Sequence, residues 1–210
     1  TGHPRHLLRG TGSDMWLMAF SEDGRRLATV SDDRLMSVID VMSGLPMGRG
    51  YEWIPHGVPQ MAWSAAEPDV FGPFSADEKN MYAHVDAGAF DTFSAPDSNG
   101  RVLGIAISPD SRWLVTGDSR HARLWDRQQK SAPHIFAGGL WNDFAFSPDG
   151  RWLYGAGEPG VVRWEVDAQG VVEASRHELL PAGRHNALAL DASGTLLSAE
   201  TANTGNLSLI

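Results

Sequence analysis

The sequence predicts an all-β fold built from a repeated unit of short antiparallel strands. Three observations predict it: the aromatic and glycine content, a phrase that recurs along the chain, and the turn chemistry inside that phrase. The 210 residues include 8 Trp and 23 Gly, a balance that suits aromatic-packed strands separated by turns that need glycine's backbone freedom.

The recurring phrase reads apolar-Ala-apolar-Ser, an acidic turn, then a basic residue and an apolar run. It occurs as Met18-Ala19-Phe20-Ser21-Glu22-Asp23-Gly24-Arg25-Arg26-Leu27, as Ile105-Ala106-Ile107-Ser108-Pro109-Asp110-Ser111-Arg112-Trp113-Leu114, and as Phe144-Ala145-Phe146-Ser147-Pro148-Asp149-Gly150-Arg151-Trp152-Leu153. A degenerate copy is Leu188-Ala189-Leu190-Asp191-Ala192-Ser193-Gly194-Thr195-Leu196-Leu197. Each copy encodes a hairpin: an alternating strand, a tight turn in which Pro presets one corner and Gly or Asp tolerates the next, and a second strand. A third strand follows each, ending Val38-Ile39-Asp40, Leu124-Trp125-Asp126 and Arg163-Trp164-Glu165.

The Trp-acid pair and the Ser-Pro-Asp-Gly phrases resemble WD40 repeats, a family of four-stranded blades that form β-propellers. The resemblance covers most of the chain. The interval between the first and second strong phrases leaves room for one more repeat, and Met61-Ala62-Trp63-Ser64 echoes Met18-Ala19-Phe20-Ser21 inside it. A rival register at Phe74-Ser75-Ala76-Asp77 leaves too few residues for a four-stranded blade before the next copy. Both give five repeats, with approximate blades at 6–54, 55–100, 101–138, 139–182 and an incomplete 183–210. The family typically closes seven blades into a ring, so five are expected to be part of a larger propeller, as a fragment or as an arc completed by another chain.

The family often carries a Gly-His dipeptide whose His joins a strand Ser, a turn Asp and the Trp in a buried network. Here Thr11 falls where that His belongs; Asp32 or Asp33 is left to brace the first turn, and no repeat has the full set.

Other motifs read as structure. Gly155-Ala156-Gly157-Glu158-Pro159-Gly160 matches a dinucleotide fingerprint, but the strand run Val161-Val162-Arg163-Trp164 follows where a helix would have to open. His3 and His6 flank a Pro with no third ligand nearby, and Asn206-Leu207-Ser208 is a chance glycosylation triplet. With no Cys there is neither disulfide nor thiolate metal site, no nucleophile elbow is present, and most Asp fall in turns. No catalytic constellation, cofactor or metal site is expected. Trp113, Trp125, Trp152 and Trp164 recur at matching strand positions and are assigned to the core.

A net charge of −9 with no basic run argues against nucleic acid, and no apolar stretch is long enough for a membrane span. The chain is expected to be soluble and cytoplasmic. The resemblance implies a protein-interaction or scaffolding module, the sensing or assembly part of a larger protein, that meets a protein, a peptide or further blades. The alternative is a propeller enzyme or enzyme subunit of lactonase, dehydrogenase or peptidase-associated type. The resemblance also implies where partners dock: the loops that enter each first strand and those between second and third strands. The candidates there are Asp14 and Trp16, Arg120 and His121, Trp141 and Asn142, and Arg184 and His185. Trp16 and Trp141 stand out because both precede a first strand at similar positions and neither is required by strand alternation.

Overall fold

A computed structural model describes residues 14–21, 23–31, 35–47, 51–52, 61–64, 69–72, 80–84, 89–93, 102–129, 132–183, 185–191, 193, 197–201 and 207–209. All regular structure among them is β, and no helix is long and apolar enough to cross a membrane. The strands fall into two compact units, Thr1–Phe93 and Ser94–Ile210.

The first unit holds two antiparallel four-stranded meanders. Sheet 1 is β1 (Met15–Phe20), β2 (Arg26–Ser31), β3 (Leu35–Asp40) and β4 (Tyr51–Glu52), and sheet 2 is β5 (Ala62–Trp63), β6 (Asp69–Gly72), β7 (Asn80–His84) and β8 (Ala89–Phe93). The second unit holds sheet 3, β9 (Gly104–Ile107), β10 (Trp113–Gly117), β11 (His121–Asp126) and β12 (His134–Gly138), followed by sheet 4, β13 (Trp141–Phe146), β14 (Trp152–Gly157), β15 (Gly160–Asp167) and β16 (Gly170–Leu180). It ends in the three strands of sheet 5, β17 (His185–Leu190), β18 (Leu197–Thr201) and β19 (Leu207–Leu209). Strands paired in sequence order by short turns are the architecture of a propeller blade. Thr11, Asp32 and Asp33 lie outside the described residues.

The Ser-x-Asp phrase is a stapled hairpin turn. Ser147 Oγ donates to Asp149 Oδ1 at 2.5 Å and accepts from Trp152 N at 3.0 Å, while Asp149 Oδ1 also accepts from Arg151 N at 3.1 Å. Ser21 with Asp23, and Ser108 with Asp110, repeat this pattern. The corner residue is left-handed, φ 66° at Gly24 and 71° at Gly150, and Ser111 adopts φ 60° at the same place.

These bonds favour the ionised carboxylate. The hydroxyl of Ser147 and the amide of Arg151 hold Asp149 below the ordinary 3.8, as Ser21 and Arg25 do for Asp23. A carboxyl depressed in the folded state contributes stability above its unfolded pKa and loses it as pH falls through the folded value. Stability is therefore expected to drop on acidification below about pH 4, and Ser147→Ala to reduce that acid sensitivity. Thermal melts of both proteins between neutral and acidic pH check this.

Sheets 3 and 4 share one aromatic core. Trp113, Leu124 and Phe136 of sheet 3 meet Trp141, Phe144, Leu153, Val162 and Trp164 of sheet 4, all buried. Trp164 packs edge-on to Phe136 and to Trp141, each with centroids 5.3 Å apart. Trp125 is buried too, and Trp152 is half-buried beneath the Arg163 guanidinium at 4.2 Å. Gly117 admits this close approach, because a Cβ there would lie 2.6 Å from Phe144 Cε2 and 2.8 Å from Trp141 Cβ.

Candidate functional site

A single-residue bulge opens the first strand in three of the five sheets. Trp141 pairs with Gly157 but Asp143 with Ala156, leaving Asn142 as the extra residue. Met15 and Leu17 bracket Trp16 in the same way, and His185 and Ala187 bracket Asn186. A bulge adds one residue to the alternation, so side chains on either side of it no longer follow period two and the bulged residue is re-aimed.

That shift corrects part of the sequence reading. Trp141 and Phe144, three apart, both face the core; Trp141 is 1% exposed and its Nε1 donates to Gly138 O at 3.1 Å. It is an interior residue and offers no surface to a partner. The residue equivalent to Trp16 is Asn142, one position on, while Trp141 corresponds to Met15 and His185. His185 is likewise buried, with Nε2 against Pro181 O at 3.1 Å, because it occupies the Trp141 position of its own sheet. Trp16 sits in β1 but its side chain is outside the described residues, as is Arg184. Asp14 is exposed immediately before β1.

What remains in the second unit is a ledge of loops joined one to the next. Gly139 N donates to Arg120 O at 2.7 Å, Trp141 N to Asp118 O at 3.0 Å, Glu158 N to Leu140 O at 3.0 Å and Gly183 N to Glu158 O at 3.0 Å. Asn142 Nδ2 crosses from sheet 4 to sheet 5, donating to His185 O at 2.9 Å and Asn186 Oδ1 at 3.3 Å. Asp143 reinforces the crossing, its Oδ2 accepting from Leu188 N at 2.8 Å. Arg120, Glu158 and Asn186 stand exposed on this ledge, with His121 and Asn142 half-buried among them.

Asp118 anchors the Arg120 end. Its Oδ1 accepts from the amides of Arg120 and His121 at 2.6 and 2.8 Å, and Oδ2 pairs with Arg123 Nη1. Both side chains are almost fully buried, and Arg123 Nη2 also meets His121 Nδ1 at 3.1 Å. Beside them Trp125 Nε1 donates to Thr116 Oγ1 at 2.9 Å. Here Arg123 holds the turn Asp, in a chain whose sequence offers no complete network of the usual kind. Sheet 4 packs its tryptophans against a glycine. Gly155 stands opposite Trp164 and Trp141, where a Cβ would come within 3.0 and 3.1 Å of their rings. Signals for Asp118 and Arg123 existed in the sequence only as a charged pair flanking the Arg120-His121 turn.

At the other end of sheets 3 and 4 lies a cleft of about 560 Å³, lined by Arg112, Trp113, Leu124, Asp126, Gln129 and His134 among others. Its charges are committed to one another. Asp126 accepts from Arg112 Nη2 at 3.1 Å and from the amides of Gln128 and Gln129. Burial raises its pKa, but those bonds outweigh it and hold the carboxyl below the usual value. Among the described residues no group of three or more His, Asp or Glu is placed to hold a metal.

The family model for the WD domain, G-beta repeat, matches residues 2–40 and 90–126. Over those residues the chain carries WD40 repeats. Its WD40 repeats are also similar to the small ribosomal subunit protein RACK1 of Glycine max, with 30% identity over 83 residues, 39% of this chain. The chain spans about a quarter of that relative's length, 26%. WD40 repeats serve as protein-interaction and scaffold modules.

Proposed function

We propose that this WD40 chain is a protein-binding module that presents the loop ledge of its second unit, Arg120, His121, Asn142, Glu158 and Asn186, to a protein or peptide partner, as a sensing or assembly part of a larger cytoplasmic protein. The observation that supports this most is the line of hydrogen bonds running from Arg120 to Gly139, Leu140 to Glu158, Glu158 to Gly183 and Asn142 to His185. Loops tied to one another lose little freedom on association, so contact energy is not consumed in ordering them. Their exposed groups are mixed in charge and rich in amide, as suits a peptide surface.

Asp14 and the bulge residue Trp16 hold the corresponding edge of sheet 1 and extend the same use to the first unit. The relative is by its name a component of the small ribosomal subunit. For this chain we take protein rather than RNA as the partner, since a net charge of −9 opposes a phosphate backbone. Binding rather than turnover is the activity assigned, because Asp118 and Arg123 beneath the ledge and Arg112 and Asp126 in the cleft are engaged in holding loops.

The test is affinity for a captured partner protein. Arg120→Glu is expected to weaken binding by about tenfold or more, the loss typical of one interface Arg. Arg151→Glu, which reverses an equally exposed charge at the opposite hairpin turn, should leave affinity unchanged. Equal losses in both, or none in Arg120→Glu, would remove the ledge as the binding surface.

A further inference from the structure

The described residues that line the cleft of about 560 Å³ all come from sheets 3 and 4, which share one core inside the second unit. Its form therefore rests on the packing of two neighbouring sheets. The volume lies in the range of clefts that hold ligands. Trp113, Leu124 and Val171 give it an apolar floor, and Ala132 and Ala168 put only small side chains on its walls.

Two turns built alike bring one glutamine each to the lining. Asp126, the last residue of β11, accepts from the amides of Gln128 and Gln129 at 2.9 and 3.2 Å. Asp167, the last residue of β15, accepts from those of Gln169 and Gly170 at 2.7 and 3.1 Å. An aspartate bonded to its own turn fixes the backbone there, so Gln129 and Gln169 stand on ordered supports. Both are exposed, and no hydrogen bond among the described residues engages either side-chain carboxamide.

The ionised groups, by contrast, are committed. Arg112 Nη2 donates to Asp126 Oδ2 at 3.1 Å, and its guanidinium lies 4.2 Å over the Trp113 ring. At the rim, His134 Nε2 meets Glu173 Oε1 at 2.7 Å and ties the outer strand of sheet 3 to that of sheet 4. An incoming anion has to compete with Asp126 for Arg112, and a cation meets a carboxylate that already has its partner. Neither recovers what it loses in leaving water. The cleft offers instead an apolar floor and two neutral groups that each donate and accept. A peptide segment matches that set, with an apolar side chain flanked by backbone amides.

We propose that the cleft is a second binding site, which takes an uncharged apolar side chain of an extended peptide segment from a partner protein onto Trp113, Leu124 and Val171. Gln129 and Gln169 hold the flanking backbone amides of that segment. The site lies at the opposite end of sheets 3 and 4 from the loop ledge, and it does not depend on the partner assigned there.

Titration of the isotope-labelled full chain with blocked peptides tests it, read at the indole N–H resonance of Trp113. The peptides are acetyl-Ser-Gly-X-Gly-Ser-amide with Leu, Glu or Lys at X. The Leu peptide is expected to shift the resonance saturably. The Glu and Lys peptides should bind at least about tenfold more weakly, because an ionised side chain loses its hydration in the cleft without gaining a partner. Gln129→Ala combined with Gln169→Ala, both at exposed turn positions, should weaken the Leu peptide by about tenfold, the loss expected for two neutral hydrogen bonds. Ala168→Arg, which puts a long charged side chain on the wall, should abolish the shift in a chain that circular dichroism shows to be folded. The absence of a saturable shift with the Leu peptide overturns the proposal. So do Glu or Lys peptides that bind as tightly, or undiminished Leu-peptide binding in either variant. None of these results bears on the ledge, whose own test is Arg120→Glu.

Discussion

Asp118→Ala is expected to destabilise the second unit by about 3–5 kcal/mol, the range for stranding one member of a buried ion pair. The loss has two parts. Arg123 keeps a guanidinium that is 3% exposed without its carboxylate, and the amides of Arg120 and His121 lose their acceptor. Urea titration followed by tryptophan fluorescence measures the first part, and faster amide exchange at Arg120 and His121 reads the second. Adding Arg123→Met should recover much of the global stability, since a long unbranched apolar side chain tolerates that interior. It should not recover the amide protection, because the loop still lacks its anchor. Only the second loss should carry through to partner affinity.

Trp141→Ala is expected to cost about 3–5 kcal/mol as well, for a different reason: a large aromatic leaves a cavity in a core that cannot collapse around it. Phe144 and Trp164 both contact the indole, at centroid distances of 5.8 and 5.3 Å. Trp141→Phe keeps most of the volume and loses the bond to Gly138 O, so a smaller loss is expected. Thermal denaturation of the two variants checks the order. The pair also separates the interior role from a surface one, since a partner-contacting Trp would show its effect in affinity at unchanged stability.

The hairpins were legible because their information is local. Ser, Asp and a left-handed corner within a few residues suffice to write the turn, and the same bonds recur at Ser21, Ser108 and Ser147. The strand tryptophans were legible for the same reason, as alternation places them. The loop edge was less so. A bulge is a difference in register between two strands, visible only once the partner strand is known, and it turned Trp141 from a surface candidate into a core residue while moving Asn142 into its place. His185 went the same way. The ion pair of Asp118 and Arg123 was hidden differently, because Arg123 lies on β11 between buried Ala122 and Leu124 and so reads from sequence as an exposed alternate.

The most direct test of the loop ledge is a photo-crosslinking amino acid placed in turn at Arg120, Asn186, Asp149 and Arg151, with the captured partner present. The first two positions lie on the ledge and the last two in the opposite hairpin turn. Crosslinks to partner protein from positions 120 and 186, and none from 149 and 151, are the predicted result. Crosslinks confined to 149 and 151 would contradict the account and move recognition to the turn edge of the sheets.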